Sequence, residues 1–198
     1  MLRPDLEIIS GWIKPDAHVL DLGCGDGTLL AHLKRHLGVN GYGLEIDDNN
    51  ITACLQKGVN VLQVDLDDGL ADFNDNSFDY VIMTQTLQAI SYPDRLLGEM
   101  LRVGREGIVT FPNFGYWRNR VNIALHGRMP LSEVLPYAWY NTPNIRLCTL
   151  NDFEALCRQK SIEIVQRNVV NQAHRSNLAM RWRPNFFGEL ALYRFRVA

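Results

Sequence analysis

The chemistry in this sequence is concentrated in three glycines and three carboxylates. Asp21-Leu22-Gly23-Cys24-Gly25-Asp26-Gly27 follows an apolar run and precedes a helical pattern. Glycines there allow positive φ and close approach of a ligand to the backbone, and the start of a helix offers unpaired N–H groups. Glu45 closes a second apolar run, 20 residues beyond Gly25. A carboxylate so placed can accept hydrogen bonds from both hydroxyls of a ribose. Asp65 closes a third run, within reach of an adenine edge. The combination describes a nucleoside site, and several nucleotide sites are excluded. No Gly-Lys-Ser/Thr occurs, so there is no P-loop. Thr28 stands where a pyrophosphate site favours glycine, and no Tyr-x-x-x-Lys pair is present. An acid at Asp21 can help hold an ammonium and would repel a diphosphate. The expected ligand is therefore a nucleoside without phosphate whose amino-acid end meets the glycine loop.

The elements that must position these groups can be read from periodicity. His18–Leu22 is a short strand, and Leu29, Leu30, Leu33 and Leu37 mark a helix closed by Gly38. Strands are expected at 41–46, 59–64, 78–83 and 107–111, with helices over 50–57 and from Pro93 to Leu101, ending at Gly104. Alternation of this kind builds βαβ units on a parallel sheet. Residues 112–148 break the rhythm with four prolines and six aromatics, a long excursion too aromatic to be disordered. Asn151 as N-cap with Glu154 as its capping-box partner restarts the pattern, and 162–170 and 189–197 close it as two strands.

With 198 residues, 46% apolar and 21% charged, the chain has the profile of one globular domain over 1–198, with 112–148 as a cap. Four cysteines without a CxxC pair read as reduced thiols in a cytoplasmic protein. The first ten residues have no apolar core run of a signal peptide, and no stretch has the length of a membrane span. The net charge of −2 conceals an asymmetry: residues 1–100 carry 16 acids against 6 bases, and 101–198 carry 6 acids against 14 bases. Either the halves face different partners or they attract each other within one fold.

The acid-x-Gly-x-Gly-x-Gly form resembles class I S-adenosylmethionine-dependent methyltransferases, chiefly over residues 18–111. The resemblance implies a Rossmann-like α/β fold, a seven-stranded and mostly parallel sheet with an antiparallel final strand. It implies S-adenosylmethionine or S-adenosylhomocysteine as ligand. Asp21, Gly23, Cys24 and Gly25 would line the methionyl end, Glu45 would bind the ribose, Ile46 would pack on adenine, and Asp65 with Leu66 would hold its edge. Gln85 would lie near the reacting centre. A closer resemblance rests on 41–47, 83–88, 110–115 and Trp139-Tyr140-Asn141-Thr142-Pro143-Asn144, which are similar to the methionine-biosynthesis MetW family. That resemblance implies an accessory subunit of a homoserine O-acyltransferase, with no nucleic-acid or membrane partner.

Methyl transfer from a sulfonium needs mainly proximity and alignment, so no signature nucleophile or metal set is expected, and catalytic residues stay unassigned. His126 reads as a surface or packed side chain, and His32 with His36 lacks a third metal ligand. Phe114 to Arg120 and Arg175 to Arg183 mix aromatics with arginines, as interfaces do. Two functions stand: a ligand-binding accessory subunit, or a small-molecule methyltransferase. An open acceptor seat lined by Gln85, Asn113 or Tyr116 would favour the second.

Overall fold

The computed structural model describes residues 2–132, 134–171 and 178–198. In chain order the elements are α1 (Pro4–Ser10), β1 (His18–Leu22), α2 (Thr28–Leu37), β2 (Asn40–Glu45), α3 (Asp48–Gln56), β3 (Asn60–Gln63), β4 (Phe78–Thr84) and α4 (Pro93–Val103). There follow β5 (Gly104–Pro112), α5 (Trp117–His126), α6 (Leu150–Gln159), β6 (Ile162–Val170), α7 (Leu178–Trp182), α8 (Pro184–Phe187) and β7 (Leu190–Val197). The strands form one seven-stranded sheet in the order β3-β2-β1-β4-β5-β7-β6. β1 to β5 pair in parallel, and β7 runs antiparallel between β5 and β6. This is the Rossmann-like methyltransferase architecture.

The central strands are buried on both faces, which is why they read as near-continuous apolar runs. On one face Leu6 and Ile9 of α1 join Leu29, Leu30 and Leu33 of α2 over Val19 and Ile82. On the other face α4 contributes Leu96, Leu97, Met100 and Val103, and α6 adds Leu150, Phe153 and Cys157. At roughly 1.5–3 kcal/mol per fully buried side chain, the α4 stripe alone contributes about 6–12 kcal/mol before entropy is charged against it. The strand order reverses at β1, between β2 and β4, so the loops after β1, β2 and β4 face one crevice.

Four local readings differ from the structure. A helix forms at α1, with Pro4 in its first turn, where periodicity assigned nothing. β5 begins at Gly104, because Gly104 and Glu106 already pair with Phe78 and Tyr80. The capping box of α6 is Thr149 with Asp152. Glu154 is instead drawn across to the sheet, accepting from Tyr193 Oη at 2.8 Å and Arg167 Nη1 at 2.9 Å. Finally, the 112–148 excursion contains α5, whose apolar residues form no inward stripe: its one buried residue is Asn119. Arg175 to Asn177 lie outside the described residues. Among the described residues no helix is long and apolar enough to cross a membrane.

Candidate functional site

The crevice at the strand ends holds a cavity of about 380 Å³. Gly23 and Gly25 form one wall, Glu45 and Ile46 a second, and Asp65 and Leu66 a third. Six of the nine positions read from the sequence are therefore brought together. Gly25 has φ +55°, and a Cβ built there would meet nothing within 4 Å, so its bare backbone faces open space. Gly23 is different: with φ +67°, a Cβ would lie 2.7 Å from Thr86 Oγ1, so this glycine admits the β4–α4 loop.

Glu45 is held as a fixed acceptor. Its Oε2 receives the Gly25 N–H at 2.8 Å, and its Oε1 receives the Ile46 and Asp47 N–H groups at 2.9 and 3.0 Å. A carboxylate offers about four acceptor positions, so one on Oε2 is left for a ligand hydroxyl. Asp65 keeps one oxygen for a ligand, since its Oδ1 caps the following turn by accepting from Asp67 N–H at 2.9 Å. Ile46, 58% exposed, presents an apolar plate at the rim, suited to a flat base.

Asp21, Cys24 and Gln85 do not line this cavity. Asp21 is 1% exposed at the end of β1, and its Oδ1 has no hydrogen-bond partner among the described residues. Burial first, and the Glu45 charge second, push its carboxyl up to about 7. A cation nearby would relieve both penalties, so the orphaned carboxyl fits a ligand carrying an ammonium. The Cys24 thiol turns under the loop, 3.7 Å from Cys54 Sγ, and burial pushes it up beyond the ordinary thiol range. It packs α3 against the glycine turn. Gln85 sits after β4 at φ +53°, with its N–H held by Thr110 and its side-chain amide 3.5 Å from Asp5 Oδ2.

Thr86, Asn50, Ala89 and Ile90 also line the cavity, and the sequence reading missed them. They lie after the strand ends that were recognised, so the topology, with its convergent loops, was the available signal. The loop after β4 also carries a tether. Gln88 O accepts the Ile145 and Arg146 N–H groups at 2.8 and 2.9 Å, and Gln88 Nε2 donates to Gln85 O at 2.6 Å. The cavity rim is thereby joined to the end of the 112–148 segment.

Of the three residues that could line an open acceptor seat, Asn113 has its amide already engaged. The Asn113 amide is 1% exposed and spent on structure: Nδ2 donates to Asn185 O and Gly188 O, and Oδ1 accepts from Gly115 N–H. Tyr116 and Trp117 are half-buried and meet edge to face. His126 is exposed, and His32 and His36 face each other at 4.3 Å on α2.

A model of the methionine biosynthesis protein MetW family matches residues 3–195. The bifunctional methionine biosynthesis protein MetXA/MetW of Rhodopirellula baltica is 40% identical over 172 residues, 82% of this chain. The chain spans only 28% of that relative's length. Among solved structures, an S-adenosylmethionine-dependent methyltransferase from Mesorhizobium loti superposes with TM-score 0.72 at 14% identity, covering 98% of both chains. A Thermotoga maritima methyltransferase, described as a possible histamine N-methyltransferase, gives 0.67 at 17% identity, covering 98% of this chain and 88% of that one. At such identities these two likenesses establish the fold and nothing about substrate.

Proposed function

The chain belongs to the methionine biosynthesis protein MetW family, and from that premise we propose that it is a ligand-binding accessory subunit of methionine biosynthesis. On this reading it binds S-adenosylmethionine or S-adenosylhomocysteine and supports a homoserine O-acyltransferase. The observation that carries the ligand assignment is the cavity in which open space over Gly25, the pinned carboxylate of Glu45 and the free oxygen of Asp65 converge. Glu45 orients the ribose, Ile46 covers the base, and Asp65 takes its edge, while Asp21 answers an ammonium from beneath. S-adenosylmethionine, when bound, supplies an electrophilic methyl group on its sulfonium.

The accessory role draws its support from two features. The Rhodopirellula relative carries MetXA and MetW in a single chain, of which this chain matches about a quarter. The amide of Asn113, one of the groups that could line an acceptor seat, is already consumed by backbone partners. Active small-molecule methyl transfer is the competing reading. The test is acyltransferase activity measured with and without the full chain, alongside calorimetric titration with both nucleosides. Acyltransferase activity that rises with this chain, together with nucleoside binding, supports the reading. Methylation of a small acceptor by the chain alone, or an acyltransferase indifferent to it, overturns the accessory role.

A further inference from the structure

A helix at a protein surface ordinarily turns an apolar stripe inward. α5 does not: Val121, Ile123 and Leu125 are all exposed, Leu125 to 75%. The same holds beyond it. Ten of the nineteen large apolar side chains exposed among the described residues fall within 121–147. Three of them, Met129, Leu131 and Trp139, line a cleft of about 490 Å³ together with Gly127, Arg128 and Ala138. Trp139 is 75% exposed and meets Tyr140 edge-on at 5.8 Å. Apolar surface gathered in this way marks a binding site, whereas single exposed side chains need no explanation.

Charge says what covers it. Outside 112–148, Arg102 is paired with Asp75 and Glu99, Arg105 with Asp79, Arg167 with Glu154, Arg194 with Glu106 and Arg196 with Glu163, while Arg35, Arg95, Arg158, Arg181 and Arg183 make no ion pair among the described residues. Arg118, Arg120, Arg128 and Arg146 make no ion pair among the described residues, and 112–148 holds one acid in its whole length. A two-fold contact between copies of this chain would set those arginines against each other. The segment has no lysine, and Trp and Tyr beside Arg make the composition of protein hot spots.

We propose that the face formed by residues 121–132 and 134–147 docks a protein surface on which an aliphatic or aromatic side chain stands among carboxylates. The apolar side chain enters the cleft beside Trp139, and the carboxylates meet Arg128 and its neighbours. Resting on the reading above, that surface belongs to the acyltransferase. The cleft and the cavity share no lining residue, so docking leaves the nucleoside seat to Glu45 and Asp65.

The experiment is surface plasmon resonance of the full chain over the immobilised acyltransferase of the same organism, with sedimentation of the chain alone. Trp139→Ser should weaken binding by about thirtyfold or more. Arg128→Glu should weaken it severalfold, and more at low salt than at high salt. Both side chains are exposed, so neither change threatens the fold. Leu55→Ser, on exposed α3, should bind as the unaltered chain does. If the acyltransferase binds but ignores both variants, the face is wrong and the accessory reading stands. If the unaltered chain does not bind it, both fall. Self-association lost in Trp139→Ser, or Trp139-dependent binding to anionic lipid vesicles, would equally overturn the proposal in favour of a second copy or a membrane.

Discussion

The crevice at the ends of β1 to β4 and the face over 121–147 handle the same physical problem in opposite ways. In the crevice what is left over is specific: one lone pair on Glu45 and one oxygen on Asp65, with one orphaned oxygen on Asp21 buried outside the lining. On the face, large apolar side chains stand in water and arginines stand without carboxylates. The first pattern suits a small ligand recognised by a few directed bonds. The second suits a broad surface whose affinity comes from aromatic anchors and whose encounter is steered by charge. The difference also resolves the charge asymmetry of the sequence. Part of it is internal, since Arg102, Arg105 and Lys160 pair with Asp75, Asp79 and Asp94 of the acidic half. The unpaired remainder includes Arg128 and Arg146 on the face and Arg118 and Arg120 beside it.

The largest effect expected from breaking this contrast is at Asp21. Its carboxyl is pushed up to about 7 by burial, so the folded chain holds that proton more tightly than the unfolded one. This contribution to stability is complete below about pH 4, falls as pH rises to about 7, and is level above it, by at most ~4 kcal/mol. Asp26, Asp94 and Glu99, held below the usual carboxylate range by Lys57, Lys160 and Arg102, act in the opposite sense near pH 4. The difference between the unaltered chain and Asp21→Asn isolates the term: urea unfolding at pH 5 and pH 8 should show their gap changing, and a constant gap refutes it. Docking on the face should not follow this titration.

Next is Glu45→Ala. Loss of the fixed acceptor should weaken nucleoside binding by roughly ten- to a hundredfold, ~1.5–3 kcal/mol, with acyltransferase binding unchanged. A variant that lost both would show that the two regions are one site. Smaller again is Trp117→Ala. Trp117 is half-buried against Tyr116, so its loss should lower the unfolding free energy by about 1–2 kcal/mol and affect docking less than loss of Trp139 does. Thermal melts beside the binding assay separate the two effects. Smallest is Arg181→Glu, on the exposed surface of α7. It should slow association two- to fivefold at low salt, roughly 0.5–1 kcal/mol, and leave dissociation nearly unaltered.

How much of this was legible in the sequence followed from how local each signal is. β1, α2 and the glycine turn between them are set by neighbours in the chain, and they stand where periodicity put them. Glu45 and Asp65 were legible for the same reason, as carboxylates ending apolar runs. Thr86 was not, because its place beside Gly23 is fixed by the pairing of β1 with β4, which lies far away in sequence. The capping box of α6 went astray because both Thr149/Asp152 and Asn151/Glu154 fit the spacing. Only the tertiary bond from Tyr193 to Glu154 decides between them. α5 was hidden because periodicity detects helices that bury a stripe, and this one buries Asn119 alone. The blind spot itself was informative, since a helix without an inward stripe is one that works at a surface.

The crevice, and not the face, should bind the nucleoside. One calorimetric titration with S-adenosylhomocysteine tests it across three proteins: the unaltered chain, Trp139→Ser and Glu45→Ala. The first two should bind within about twofold of each other, and Glu45→Ala should bind roughly ten- to a hundredfold more weakly. No binding by the unaltered chain, or Trp139→Ser losing as much affinity as Glu45→Ala, would contradict it.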